Sequence, residues 1–289
     1  MKIFLTGISG YLGSKVAKRL LVEGHSVSGL VRKSSNLDNL KEFKSDIQLI
    51  EFDNHSDISK LRKINKIDSI AHFATHYGLN QSRFEEILEC NYYLPIILLN
   101  YAVEKKINHF VNIDTSMNQY LSAYTLSKSQ FRQWGFFCAL QKKIKFRNLK
   151  LQYFYGPGED KSRFISSIIQ LCKKNEKKIS LTKGVQKRDF LYIEDAVEAC
   201  FTSITKNTST DKSYINYDIG SGESHTIKNV CLKILKATNS SSTFDFGVVP
   251  YRKYELMNSV VNLTEISKLD WSPKFNFDEG LKLTIESFK

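Results

Sequence analysis

The sequence predicts an α/β protein built on a doubly wound parallel sheet with a smaller C-terminal lobe, and three observations carry that expectation. Short apolar runs alternate with helix-like segments through the first half. A glycine-rich turn, "TGISGYLG", stands between the first such run and the first helix. After "YGPGED" the alternation loosens into shorter and less regular segments. With 289 residues, 42% of them hydrophobic, the chain can bury one large core, or a core and a smaller lobe.

"KIFLTG" is a short apolar run ending at glycine, hence a buried strand. "YLGSKVAKRLLVEGH" puts Leu12, Val16, Ala17, Leu20 and Leu21 on one helical face, with Gly24 as its stop. "SVSGLV" and "IQLIEF" supply strands two and three, and "DSIAHFA" strand four. "FEEILECNYYLPIILLNYAVEKK" predicts one long helix, "HFVNID" strand five, the segment carrying "AYTLSK" a second long helix, and "FRNLKLQYFYG" strand six. Repeated βα units of this length make a Rossmann-like sheet covered on both faces. Beyond it come a helix at "FISSIIQLC", a strand at "KISLT", a strand entering a helix at "RDFLYIEDAVEACFTSI", and a strand at "YINYDIGSG". The tail holds "TIKNVCLKILKAT", a loop around "FDFGVVPYRKYE" and two short amphipathic helices. Residues 1–152 with 188–220 are expected to form the dinucleotide-binding domain, and 153–187 with 221–289 the second lobe.

Composition narrows the classes. The net charge of +12 admits nucleic acid, a membrane surface or a phosphorylated small molecule as partner. The lysines, however, are spread along the chain, neither gathered into one arm nor interleaved with aromatics as in single-strand binders. A solvated basic surface that attracts an anionic ligand is therefore expected, with no nucleic acid. The longest apolar stretch, "LPIILLNYAV", is too short to span a bilayer, and no signal peptide precedes Thr6, so no membrane partner is expected. Five scattered cysteines suggest neither a disulfide framework nor a zinc site, which points to the cytoplasm. His72 and His76 have the spacing of a metal pair but straddle a strand end without a third ligand, and no metal is expected.

In the turn, Gly7, Gly10 and Gly13 let the backbone bend and approach a pyrophosphate that faces the start of the following helix. The end of strand two reads "GLVRKSSN", with Val31 where an NAD site usually has an acid, and then Arg32 and Lys33. The missing acid and the added cations favour NADPH over NADH, since a guanidinium binds a 2′-phosphate bidentately. In "EFDN", Asp53 and Asn54 stand at a strand end where either can meet the adenine amino group. "AYTLSK" puts Tyr124 and Lys128 one helical turn apart on one face. An ammonium beside a phenol favours phenolate and suits the tyrosine to proton transfer.

The order of "TGISGYLG", "HFA", Tyr-x-x-x-Lys, "FYGPG" and "RDFLYIED" resembles the extended short-chain dehydrogenase/reductase family (the NAD-dependent epimerases and dehydratases) over essentially the whole chain. Within it, "TSMNQYLSAYTLSK", "LKLQYFYGPGEDKSRF", "KRDFLYIED" and "FDFGVVPYRKYELM" are similar to the reductases that make CDP-linked 3,6-dideoxyhexoses, of the paratose- and abequose-forming type. The resemblance implies that Tyr124 is the acid/base, that Lys128 tunes it and holds the nicotinamide ribose, and that Thr115 binds the reacting oxygen, with Ser116 a nearby alternative. It implies cofactor contacts at Gly7, Gly10, Tyr11, Leu12, Gly13, Phe73 and Ala74, and a nucleotide-sugar-binding second lobe. Tyr77 is placed to touch the sugar, Arg252 the diphosphate, and Arg188 either the nucleotide pocket or a salt bridge. Asn91 matches a family asparagine that supports the active-site helix, or is an ordinary helix amide.

The family's 4,6-dehydratases carry Asp-Glu after the catalytic threonine, where this chain has Ser116 and Met117. A net reduction at C4 of CDP-4-keto-3,6-dideoxyglucose, in surface-polysaccharide synthesis, is therefore expected. The alternatives are an epimerase or reductase of a dTDP-, GDP- or UDP-sugar, and a non-catalytic NADP- or RNA-binding member of the fold. A homodimer through the two long helices is implied at the level of the family.

Overall fold

A strand covered by helices on both faces buries every side chain, and all seven residues of "HFVNIDT", His109 to Thr115, are buried. The computed structural model describes residues 1–53, 57, 59–61, 64, 66–79, 82–206 and 212–288. The first half runs β1 (Lys2–Thr6), α1 (Tyr11–Val22), β2 (Ser26–Val31), β3 (Ile47–Glu51), β4 (Ser69–His72), α2 (Phe84–Leu88), α3 (Leu94–Glu104), β5 (His109–Thr115), α4 (Ala123–Leu140) and β6 (Lys145–Leu151). Then come β7 (Tyr153–Tyr155), α5 (Phe164–Lys173), β8 (Lys178–Leu181), β9 (Lys187–Arg188), β10 (Phe190–Tyr192) and α6 (Ile193–Thr205). The chain ends with β11 (Tyr214–Ile219), β12 (His225–Thr226), α7 (Ile227–Ala237), β13 (Thr243–Phe246), α8 (Thr264–Ser267) and α9 (Phe277–Ser287).

Seven strands hydrogen-bond in the order β11-β6-β5-β4-β1-β2-β3. The pairs β3–β2, β2–β1, β1–β4 and β4–β5 are all parallel. Chain order runs outward from β1 on one side and from β4 on the other, so the direction of winding reverses between them. Ligands of such sheets bind outside the carboxyl ends of the strands at that reversal. Thr6 ends β1, His72 ends β4 in register with it, and Thr115 ends β5.

The chain divides into two compact units, 1–150 with 197–217 and 268–271, and 151–196 with 218–267 and 272–289. These boundaries differ from those expected. Residues 151–152, 188–196 and 218–220 belong with the second unit, and 268–271 with the first. Pairing explains the first difference, because β10 pairs with β7 and β9 with β12. For the same reason the single strand six expected over "FRNLKLQYFYG" is two strands. Gln152 interrupts it, its N–H donating to Ile219 O at 2.9 Å and its Oε1 accepting from Ser259 at 2.6 Å. The loop expected around "FDFG" begins as β13, parallel to β8. In the second unit Tyr155 donates to Phe277 O at 3.0 Å within a cluster of Phe190, Tyr192, Phe275 and Phe277.

The long helix expected over 84–106 is also divided. A π-helical turn, Glu89–Tyr93, joins α2 to α3. Pro95 in the first turn of α3 has no N–H to give Asn91 O four residues back, so the regular ladder cannot pass through. Among the described residues no helix is long and apolar enough to cross a membrane.

The core of the first unit gathers Phe4, Ile70, Leu98, Phe110, Phe131 and Phe146. Phe110 and Phe146 stack at 5.5 Å between centroids, and Gly135 of α4 lies directly on the Phe146 ring. A Cβ at Gly135 would stand 2.1 Å from Phe146 Cζ, so α4 approaches β6 this closely only because residue 135 has no side chain. Gly135→Ala is expected to lower stability by roughly 1–3 kcal/mol through overpacking, despite the better helix propensity of alanine. Urea unfolding with an unchanged or raised midpoint would contradict this.

Candidate active site

The glycine turn fills the gap between β1 and α1. Gly7 is held at φ +63°, and a Cβ there would lie 2.5 Å from Ala74 N. Gly10 donates to Gly7 O at 3.0 Å and caps α1 with no side-chain bond to the helix. A Cβ at Gly13 would stand 2.2 Å from Gly7 O, so the helix start packs against the turn only with glycine at that position. Leu12 is buried and Tyr11 partly so. The loop after β4 closes in from the other side. Phe73 donates from its backbone to Thr6 O at 3.2 Å, and Ala74 N to Thr6 Oγ1 at 3.2 Å.

Beyond β2 the side chains of Arg32 and Lys33 are exposed, while their backbone N–H groups are tied down. Arg32 N–H goes to Ser35 Oγ at 2.9 Å, and Lys33 N–H to Asp53 Oδ1 at 3.1 Å. Asp53 therefore braces the Arg32–Lys33 turn. Asn54 lies outside the described residues. These groups fit a nicotinamide dinucleotide: a helix start without a side-chain cap, a glycine turn with no Cβ to block approach, and exposed cations where an acid would repel a phosphate.

Ser122 caps α4 in a reciprocal box with Thr125, which fixes where the helix begins. Tyr124 and Lys128 then fall on its buried face, and Lys128 is only 1% exposed. Lys128 Nζ donates to Ile113 O at 3.0 Å and to Ala74 O at 3.4 Å, linking α4 to β5 and to the loop after β4. Burial lowers its pKa to about 8, against the pull of Asp114 and Cys90 toward the charged form. The Tyr124 ring meets that of Tyr77 at 5.2 Å, and Tyr77 is 40% exposed. Thr115 is buried at the end of β5, its Oγ1 accepting from Met117 N at 3.2 Å, and Ser116 is half-buried next to it.

Asn91 sits on the π turn and is fully buried. Its Oδ1 accepts from His76 N at 2.8 Å, while Nδ2 donates to His76 O at 2.8 Å and to Ser127 Oγ at 3.1 Å. Ser127 in turn donates to Tyr124 O at 2.8 Å. Asn91 thus joins the Tyr77 loop to the helix bearing Tyr124. His72 is fully buried, bonded through Nδ1 to Thr6 Oγ1 at 2.8 Å, and burial followed by the Lys128 charge holds its pKa well below the usual value. His76 Nδ1 accepts from Gly78 N at 3.2 Å. Among the described residues no group of three or more His, Cys, Asp or Glu side chains is placed to hold a metal.

Asp114 was not singled out from the sequence. Its carboxylate is buried, accepting from Thr115 N at 2.8 Å, Arg132 Nη1 at 2.6 Å and Asn148 Nδ2 at 2.9 Å. A lone acid inside the apolar run "HFVNID" was the available signal, because a buried carboxylate requires partners.

Arg188 and Arg252 belong to the second unit. Arg188 is buried, ion-paired with Glu255, bonded to Lys187 O at 2.7 Å, and its guanidinium carbon lies over the Tyr153 ring at 5.8 Å from the centroid. Arg252 is exposed.

The NAD dependent epimerase/dehydratase family matches residues 3–220. A CDP-abequose synthase of Salmonella muenchen is 32% identical over 289 residues, covering 97% of this chain and 96% of the relative. One of Salmonella typhimurium is 30% identical over 292 residues with the same coverage. A dTDP-D-glucose 4,6-dehydratase of Mus musculus is 26% identical over 328 residues, covering 100% of this chain and 88% of the relative. Among solved structures, a Thermotoga maritima UDP-glucose 4-epimerase with UDP-glucose matches with a TM-score of 0.86 at 21% identity, covering 100% of this chain and 98% of its own. A Thermus thermophilus UDP-glucose 4-epimerase complex with NAD gives 0.84 at 20%, covering 100% and 99%. At that identity the structural likeness concerns the fold. The family match and the full-length relatives lead to one assignment: the chain belongs to the NAD-dependent epimerase/dehydratase family.

Proposed function

We propose that the protein reduces the C4 ketone of a nucleotide-linked deoxysugar with NADPH, converting CDP-4-keto-3,6-dideoxyglucose to CDP-paratose or CDP-abequose in the cytoplasm. The observation that carries the reading is the Tyr124–Lys128 pair on one buried face of α4, beside an Ala74 loop packed on the glycine turn. The similarity to CDP-abequose synthases along nearly the whole chain supports the choice of sugar. Ser116 and Met117 follow Thr115, so no carboxylate stands there to abstract a proton for water elimination.

The bound nicotinamide supplies the hydride. Lys128 gives two of its three N–H groups to Ile113 O and Ala74 O, which leaves one for a ribose hydroxyl. Its positive charge next to Tyr124 favours loss of the phenolic proton. Tyr124 delivers that proton to the oxygen of C4 as negative charge develops there, and the Thr115 hydroxyl donates a hydrogen bond to the same oxygen. Tyr77, packed on the Tyr124 ring, offers an aromatic wall to the sugar. The exposed guanidinium of Arg252 takes the diphosphate. Trp134, Phe137 and Leu140 of α4 are 45%, 49% and 60% exposed and would be covered by a second copy of the chain in a homodimer.

Two outcomes test the reading. NADPH consumption on CDP-4-keto-3,6-dideoxy-D-glucose, followed by absorbance, is expected for the wild type. Tyr124→Phe should lower kcat by about 10²–10⁴-fold while retaining cofactor binding. Turnover that survives Tyr124→Phe removes the acid/base role, and absent turnover with NADPH still bound moves the substrate to another nucleotide sugar. Arg32→Asp should reduce the ratio of NADPH to NADH catalytic efficiency by about tenfold or more. An unchanged ratio would defeat the 2′-phosphate contact.

A further inference from the structure

Two rungs connect β5 to α4, and only one of them is used by the chemistry above. In the first, Lys128 Nζ donates to Ile113 O at 3.0 Å. In the second, one residue on along β5 and one helical turn on along α4, Arg132 Nη1 donates to Asp114 Oδ2 at 2.6 Å. The next residue of β5 is Thr115, and Asp114 Oδ1 accepts its N–H at 2.8 Å. Asp114 thus lies between the carbonyl that holds the ammonium and the hydroxyl assigned to the reacting oxygen. It is also fixed from behind. Asn148 Nδ2 reaches Asp114 Oδ2 at 2.9 Å and Asn216 Oδ1 at 2.9 Å, and Asn112 Nδ2 donates to Asn148 Oδ1 at 2.7 Å.

An acid in such a place needs a reason beyond packing. Burying the Asp114 carboxylate against a half-buried guanidinium, only to tie a helix to a sheet, is seldom better than an apolar contact of the same volume. The neighbourhood of Lys128 supplies one. The titratable groups around its ammonium are Asp114 on β5, Cys90 on the π turn, His72 on β4 and Tyr124 on α4. His72 is held neutral and burial raises the Cys90 thiol, and Asp114, ion-paired with Arg132, is the carboxylate of that set.

We propose that Asp114 is a positioning residue for the proton-transfer pair, its carboxylate holding the Thr115 end of β5 and keeping Lys128 in the ammonium form, with Arg132 limiting how far that field reaches. The proposal rests on the reading of Tyr124 and Lys128 as that pair. It separates from a merely structural role because the two partners act in opposite senses. Loss of the Asp114 charge destabilises the ammonium. Loss of the Arg132 charge leaves the carboxylate less neutralised and stabilises it.

The experiment follows the Lys128 titration directly, in protein carrying lysine labelled with ¹³C at Cε, the signal being assigned by its loss in Lys128→Met. The wild-type midpoint is expected at about 8. Asp114→Asn should move it down by roughly one pH unit, and Arg132→Gln should move it up by a smaller amount. The alkaline limb of kcat should shift in the same two directions. Two unchanged midpoints, or two that move the same way, overturn the proposal even where both variants are less stable. If Asp114→Asn does not fold, the Arg132→Gln shift decides alone, upward in support and otherwise against. Opposite shifts in a protein that reduces no 4-keto nucleotide sugar uphold the positioning role and remove the reductase reading.

Discussion

Burying the Lys128 ammonium between α4, β5 and the loop after β4 imposes most of what surrounds it. A cation taken out of water must be given acceptors in return. Ile113 O and Ala74 O serve, but only if α4 lies close enough to the sheet for a lysine on its inner face to reach them. Gly135 permits that approach by leaving room for the Phe146 ring two turns further on. The Ser122–Thr125 box fixes the rotation of the helix, since starting it one residue later would turn Tyr124 and Lys128 about 100° from the sheet. Caps, glycine and aromatic stack are thus consequences of one charge held in one place.

The same charge reaches the other side of the site. Ala74, whose carbonyl it takes, gives its N–H to Thr6 Oγ1, and Thr6 Oγ1 also bonds His72. Gly7 follows Thr6 and has space for no Cβ because Ala74 N is there. The glycine turn and the Tyr–Lys helix, more than 110 residues apart in sequence, therefore share one short hydrogen-bonded path. A small displacement of the Ala74 loop would be felt at both ends, at the start of α1 and on the face of α4 that carries Tyr124.

Elements with a strong period were legible in the sequence: β1, α1, β2 and β5 fall where the apolar runs placed them, and Tyr124 and Lys128 share one buried face of α4, as their spacing implies. What escaped depends on partners that periodicity does not name. "FRNLKLQYFYG" is continuously strand-like, yet the chain leaves one set of neighbours for another at Gln152, a choice made by β10 some 40 residues later. The π turn at Glu89–Tyr93 keeps helical periodicity nearly intact and shows in the sequence only through Pro95. Arg132 and Asn148 look like ordinary helix and strand polar residues. They gain meaning only from Asp114, on a third element.

Charge accounting in the second unit separates Arg252, expected at the diphosphate, from Arg188, expected at the nucleotide pocket or in a salt bridge. Arg188 is buried against Tyr153, already paired with Glu255 and bonded to Lys187 O. A phosphate that took Glu255's place would leave a carboxylate without its cation, and one that joined it would stand next to that carboxylate. Either arrangement sets a repulsion against the gain. Arg252 lies three residues before Glu255 and is exposed, so its guanidinium is already in water and gives up less to meet a phosphate. Within the proposed reading, then, Arg252 binds the anion. In the same reading Arg188 would act through Glu255, with which it is ion-paired, because a loop tied at 255 leaves residue 252 less freedom to lose when ligand arrives.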